Sequence, residues 1–452
     1  MVGPDYQAPD LHLPDKWSAT SSGPALQTGE GTRLARWWTQ FEDAQLDQLI
    51  DQALTGSLDL KLAQARLRQA RASRQSAQAG LFPTLTASAS RSRSNSAAAA
   101  PQAGTLYDAG FDANWEIDVF GGNRRGLEAA TADVAASQAG LDDTRVSLVA
   151  ELARNYIDLR AYQRRIAIAR DNLASQSETL QITEWRYQAG LARATEVEQA
   201  RTSREQTRAG IPDLEVALAA AENRIALLLG RNPGELHQML GESKPLPSIP
   251  PSVGAGIPAD VLRQRPDLIA AERTLAAETA RVGQKLAQRF PSLNLSGSFG
   301  WQAYSFAALG GAGTVVHALG GTLAATLFDG GKLKSQVEVQ SAVQEQALVS
   351  YQSSVLSALE EVENALASYA AARERLDARR AAAESARNAA ELSRKLYQSG
   401  LADFQQVLET QRSQLTAEDN LAIADATLRT SLITLYKALG GGWEASAEEK
   451  AS

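Results

Sequence analysis

Two periodicities divide this chain. Between Thr105 and Val119, Tyr107, Ala109, Phe111, Ala113, Trp115, Ile117 and Val119 alternate with Leu106, Asp108, Gly110, Asp112, Asn114, Glu116 and Asp118. A period of two predicts a strand with one apolar and one wet face. Residues 292–301 do the same, with Leu293, Leu295, Gly297, Phe299 and Trp301 opposing Ser292, Asn294, Ser296, Ser298 and Gly300. Weaker alternation predicts strands over Thr84–Arg93, with Leu85, Ala87 and Ala89 on the apolar side, and over Thr322–Phe328, with Leu323, Ala325 and Leu327.

The other periodicity is helical. Lys332–Ser399 contains neither Gly nor Pro and is rich in Ala, Glu, Arg and Gln, all strong helix formers. Val355, Leu359, Val362, Leu366 and Tyr369 step by four and three, a heptad seam of the coiled-coil kind. At 1.5 Å per residue the helix would be ~100 Å long. Asn123–Ala189 reads alike but carries Gly126 and Gly140.

The pattern occurs twice. Leu81-Phe82-Pro83-Thr84-Leu85 is echoed by Arg289-Phe290-Pro291-Ser292-Leu293, a shift of 208. Asp59-Leu60 matches Asp267-Leu268, and Phe120 before Gly121-Gly122 matches Phe328 before Gly330-Gly331. Tyr187-Gln188-Ala189-Gly190-Leu191 returns as Tyr397-Gln398-Ser399-Gly400-Leu401, and Leu228-Leu229-Gly230 as Ala438-Leu439-Gly440. Self-similarity of this kind marks a duplicated structural unit. The expected division is an N-terminal segment 1–58, a first repeat 59–230 with its hairpin at 83–119, a linker 231–258, a second repeat 259–440 with its hairpin at 291–328, and a tail 441–452.

Each strand is near the ~9–11 residues a tilted strand needs to cross a bilayer. Helices alone would equally suit a soluble coiled-coil rod, and a hairpin alone a soluble core. Alternating strands with one apolar face favour an outer-membrane barrel. Four strands cannot close one, and lipid forbids an open edge, because unpaired N–H and C=O groups would find no partner there. Two, three or four copies would therefore be needed.

Composition narrows the chemistry. Among 452 residues, 44% are apolar and the net charge is −7, which disfavours nucleic acid as a partner. The absence of Cys removes disulfides and thiolate chemistry. His12, His237 and His317 stand far apart, so no metal site is expected. No run of ~18 apolar residues offers a transmembrane helix, no signal-peptide pattern opens the chain, and no proline follows Pro291. Gly310-Gly311-Ala312-Gly313 lacks the spacing of a phosphate loop and reads as an extracellular connection matching Ser94–Gln102. No catalytic constellation emerges, so an enzyme is not expected and no cofactor is implied.

Several motifs resemble one family. They are Gly3-Pro4-Asp5-Tyr6-Gln7-Ala8-Pro9; Trp37-Trp38 with Phe41 and Asp43; Phe82-Pro83; Trp115-Glu116-Ile117-Asp118-Val119-Phe120-Gly121; Pro258-Ala259-Asp260-Val261-Leu262-Arg263-Gln264-Arg265-Pro266-Asp267; and Tyr436-Lys437-Ala438-Leu439-Gly440-Gly441-Gly442-Trp443. Over nearly its whole length the chain resembles the TolC-like outer membrane factors, in the lipoprotein branch that serves resistance–nodulation–division efflux pumps.

The resemblance implies an α+β homotrimer. A twelve-stranded barrel would sit in the outer membrane lipid of a Gram-negative bacterium. A long periplasmic α-helical coiled-coil barrel with an equatorial domain would continue it. It implies a passive exit duct for small toxic compounds, working with a periplasmic adaptor and an inner-membrane transporter. An outlet for metal ions or for secreted proteins is the alternative. Family members carry a lipid on an N-terminal Cys; Met1 stands near that place here, and the lipid is expected on the natural protein.

Particular residues acquire expected roles from the resemblance. Gly190, Leu191, Gly400 and Leu401, which also read as simple helix C-caps, would form tips that dock the adaptor. Glu409 matches an acidic residue that narrows the family's pore, with Arg412 on the same helix face. Tyr397 and Glu196 match positions that hydrogen-bond across helices to hold the tip shut. Gln405 is polar where relatives often place a constricting Leu. Asp108, Asp112, Glu116 and Asp118 would face the barrel lumen.

Overall fold

The computed structural model describes residues 1–10, 14, 17–18, 32–94, 104–250 and 264–443. His12, most of the loop after Ser94, the first six residues of the Pro258–Asp267 motif and the tail from residue 444 lie outside them. The described elements run α1 (Ala44–Gly56), α2 (Leu58–Ala79), β1 (Thr84–Ser94), β2 (Gly104–Ile117), α3 (Gly122–Gln188), α4 (Ala194–Leu228), α5 (Pro266–Ala287), β3 (Ser292–Ala303), β4 (Val315–Ala324), α6 (Lys332–Gln398) and α7 (Phe404–Ala438). The duplication is visible in helix lengths. α2 and α5 each have 22 residues, α3 and α6 each have 67, and α4 and α7 each have 35. Among the described residues no helix is long and apolar enough to cross a membrane.

The chain divides into two compact units, with boundaries inside α2, α3 and α6. One comprises Met1–Leu11, Gln64–Gly140 and Asp267–Ser354. It holds one antiparallel sheet in the order β1-β2-β3-β4. Its register pairs Phe111 with both Ala87 and Phe299, and Trp115 with Leu295. β1 and β4 are the edges, each paired on one side only within the chain. The fourth strand is not the one expected over Thr322–Phe328. β3 begins at Ser292 opposite Ala324, so Ala325–Phe328 has no partner strand left. Val315–Gly321 pairs instead, and its Val-Val-His-Ala start hid the strand because it does not alternate. Asp329 follows; it accepts hydrogen bonds from the backbone N–H groups of Gly331 and Leu333 at the start of α6, which hold its carboxyl below the usual range.

The N-terminal segment is strapped into this unit. Arg125, 2% exposed, donates to the carbonyls of Val2 and Gly3 and to the carboxylates of Asp5 and Glu128. Gly3 has φ +93°, and a Cβ there would lie 2.4 Å from Cα of Gly283. Only glycine permits both the dihedral and the approach.

The other unit comprises His12–Ala63, Leu141–Pro266 and Val355–Ser452. Its densest core gathers Trp37, Trp38, Phe41, Leu46, Leu49 and Ile50, all buried. Tyr436 stacks on Trp37 with ring centres 5.2 Å apart, and burial pushes its phenol pKa up. Asp43 caps α1 through one oxygen, while the other accepts from the Tyr156 hydroxyl at 2.9 Å. Fully buried Arg160 donates to Gln45, Gln163 and the carbonyl of Glu242. In the expected heptad seam Val355, Val362 and Leu366 are buried, Ala358 shares their face, and Tyr369 packs against Leu376, Ala424 and Leu428.

Candidate functional site

The sheet offers two chemically opposite faces. Because directly paired residues share a face, the register gathers Leu85, Phe111, Trp115, Leu295, Phe299, Leu319 and Leu323 on one side. The side chains of Phe111, Phe299, Leu319 and Leu323 are exposed. The opposite face carries Thr86, Ser88, Asp108, Asp112, Asn114, Glu116, Asn294 and Ser298. Asp108 accepts from Gln302 at 2.7 Å and from Ser90 at 3.3 Å, and Asp112 accepts from Ser88 at 3.3 Å. These bonds fix the two carboxylates on the polar face, beside Glu116. Among the described residues that face holds no Lys or Arg. Asp118 does not belong with them. It stands beyond the end of β2, where its carboxylate accepts from the backbone and side chain of Arg124.

The second candidate region lies where α3 turns into α4 and α6 into α7. Both turns use the same device. Leu191 N–H bonds to Arg186 C=O at 2.8 Å and Gly190 N–H to Tyr187 C=O at 3.0 Å; Leu401 repeats this with Leu396 and Gly400 with Tyr397. The glycines have φ +73° and +77°. This six-to-one, five-to-two pattern terminates a helix with a left-handed glycine. It leaves Leu191 70% and Leu401 77% exposed. Each turn therefore presents an exposed leucine directly after a left-handed glycine.

Above the turns an apolar cluster of Leu180, Val197, Ala200, Tyr397, Phe404, Val407 and Leu408 joins the four helices. Tyr397 sits at its centre, 2% exposed. Its hydroxyl meets Thr183 at 3.4 Å, its carbonyl accepts from Arg186 at 2.6 Å, and the Arg186 guanidinium lies 4.4 Å from its ring centre. Glu196 lies in the first turn of α4 and makes no hydrogen bond to Tyr397 among the described residues; within the chain the partners of Tyr397 are Thr183 and Arg186, which motif reasoning does not find. Thr183 and Arg186 are three residues apart on α3, so one helix face presents both.

Gln405 donates to Gln199 at 2.6 Å and so links α7 to α4. Glu409 and Arg412 are exposed on α7 and form no ion pair with each other among the described residues.

A polar seam continues away from the turns. Gln411 donates to Thr179 at 2.8 Å, Asn172 donates to Glu418 at 3.2 Å, and Arg165 pairs with Asp419 at 2.6 Å, all between α3 and α7. Ser393 meets Thr410 at 2.6 Å, and Arg387 donates to Glu418, between α6 and α7. Gln176 Oε1 and Arg186 Nε in this region are buried without a hydrogen-bond partner.

Comparison with known proteins agrees with this geometry. The family model described as outer membrane efflux protein matches residues 49–231 and again 257–441. Nodulation protein T of Rhizobium leguminosarum bv. viciae is 32% identical over 98% of this chain and 91% of its own length. The pyoverdine export outer membrane protein OpmQ of Pseudomonas aeruginosa is 32% identical over 97% of this chain and 93% of its own. The solved structure of the outer-membrane channel OprN superposes with a TM-score of 0.91 at 38% identity, covering 98% of this chain and 99% of that one. With two matches to one family model along most of its length, the chain belongs to the outer membrane efflux protein family.

Proposed function

We propose that three copies of this chain form a passive exit duct through the outer membrane of a Gram-negative bacterium, the outlet of a tripartite efflux system. The observation that carries this reading is the sheet: an exposed apolar face, an acidic polar face and two edges unpaired within the chain. Each unsatisfied backbone group in hydrocarbon costs several kcal/mol. Joining β1 of one copy to β4 of the next removes both edges and gives a twelve-stranded barrel, polar inside and apolar outside.

The helices then carry the duct into the periplasm. The turns at Gly190-Leu191 and Gly400-Leu401 dock the hairpins of a periplasmic adaptor, and an inner-membrane proton-coupled transporter supplies the energy and selects the compound. In the unpartnered protein the turns are held together by the Tyr397 cluster, the Gln405–Gln199 link and the polar seam, while Glu409 from three copies lines the narrowing with Arg412 beside it. An N-terminal acyl anchor on the natural protein belongs to the same reading, tested by radiolabelled palmitate incorporation.

The purified protein in a planar bilayer tests the duct itself. Discrete conductance steps that enlarge when the turns are loosened by mutation support it; folded oligomers that insert but conduct nothing contradict it.

A further inference from the structure

The apolar face of the sheet is not apolar along its whole length. Arg91 and Arg93 are in register with Tyr107 and Thr105, so both project from the same face as Leu85, Ala87, Phe111 and Phe299. His317 lies on that face too, opposite Phe299. Both arginines stand at the hairpin end of the sheet, away from the helices that enter and leave it, whereas His317 lies level with Ala87, lower on the face. Neither arginine makes an ion pair among the described residues. The Arg91 guanidinium rests 5.6 Å from the ring centre of Tyr107, whose far edge meets Phe306 at 5.8 Å. The corresponding stretch of this face carries no carboxylate.

A cation on a lipid-facing surface is most costly at the midplane and tolerated near the interface. The nine steps from Thr84 to Arg93, at ~3.4 Å each and tilted by ~40°, rise about 23 Å. The apolar band of such barrels is about 25 Å tall. Arg93 therefore reaches the outer rim, and Arg91 reaches it by extending along the surface. Tyr107 and Trp301 mark the same rim, and Trp115 the opposite one.

We infer that Arg91 and Arg93 form a binding site for the phosphate groups of the phosphorylated glycolipid of the outer leaflet, lipid A. This rests on the outer-membrane reading above. Guanidinium groups grip phosphate through paired charge-assisted hydrogen bonds, while Phe111, Phe299 and Trp301 below offer apolar surface to acyl chains. Both arginines stand on one strand, so a trimer offers three such sites.

Native mass spectrometry of the detergent-purified oligomer tests this. Titration with bisphosphorylated lipid A is predicted to load up to three molecules, and dephosphorylated lipid A and phosphatidylglycerol to load about tenfold less well. R91Q/R93Q is predicted to lose that preference while R91K/R93K keeps part of it. Equal loading of all three lipids, or an unchanged preference in R91Q/R93Q, overturns the inference. If R91Q/R93Q does not assemble, discrimination among the three lipids by the unaltered protein decides. Failure to form a membrane-inserting oligomer would instead count against the duct, which separates the two claims.

Discussion

Arg186 holds Tyr397 twice, through a 2.6 Å hydrogen bond to its carbonyl and by resting 4.4 Å from its ring centre. By comparison the Tyr397 hydroxyl has only a 3.4 Å contact with Thr183. The stronger restraint at the turns is therefore the arginine on α3, not the phenol that motif comparison singles out. A charged donor's hydrogen bond contributes about 1.5–3 kcal/mol, which is tenfold or more in a closed–open equilibrium. Arg186→Ala is predicted to raise mean single-channel conductance or vancomycin entry well above the effect of Tyr397→Phe. The reverse order would place the restraint on the hydroxyl.

Glu418 collects hydrogen bonds from Asn172, Arg387 and Gln414, and so joins three stretches of the seam. Glu418→Ala leaves Asn172, itself buried, without its carboxylate partner. Loss of this kind costs about 1–3 kcal/mol. The predicted result is a lower thermal midpoint together with increased antibiotic leakage. A lower midpoint with unchanged leakage would make the seam a structural element only.

The polar face of the sheet is predicted to set ionic preference. Asp108, Asp112 and Glu116 are held there without a countercharge among the described residues, and a trimer triples their number. Reversal potentials across a salt gradient should show cation preference, reduced stepwise by Asp108→Asn, Asp112→Asn and Glu116→Gln. Asp118→Asn should leave it nearly unchanged, because Arg124 already neutralises that carboxylate. Equal effects at all four positions would contradict this division.

Burial pushes the Asp158 carboxyl pKa up, and Arg154 offsets this only in part. A carboxyl raised in the folded state binds more protons there than when unfolded, so its stability contribution is present below the unfolded value of about 3.9 and falls as pH rises through the folded one. Asp158→Asn should thus raise the melting temperature at pH 7 by about 1–2 °C and give no gain near pH 4. A gain that persists in acid would assign the effect to something other than ionisation.

Much of this was legible in the sequence, and for identifiable reasons. Residues 105–117 alternate strictly, and Lys332–Gln398 contains no breaker, so β2 and α6 follow from spacing alone. β4 was misplaced because Val315-Val316-His317-Ala318 has no alternation, and because strand length is decided by the partner at Ser292. The glycine turns were visible as repeated Tyr-Gln-x-Gly-Leu. The partners of Tyr397 were not: Thr183 and Arg186 lie over two hundred residues away, and an arginine on a long charged helix looks solvated until packing shows otherwise. Arg91 and Arg93 continue the face of Leu85, Ala87 and Ala89 by alternation alone, and the register adds their neighbours Tyr107 and Thr105.

The duct requires the sheet to close between copies, β1 against β4, three times. The chain has no cysteine, so a panel that pairs Cys at Thr86, Ser88 or Ser90 with Cys at Val316, Ala318 or Gly320 reports on that junction without background. Within one chain β1 and β4 are separated by two strands, about 14 Å at the usual spacing and beyond the reach of a short thiol cross-linker. Cross-linking in outer-membrane vesicles, followed by denaturing electrophoresis, is predicted to give covalent dimers and trimers and nothing larger. Monomers only, or a ladder running past three chains, would contradict the account.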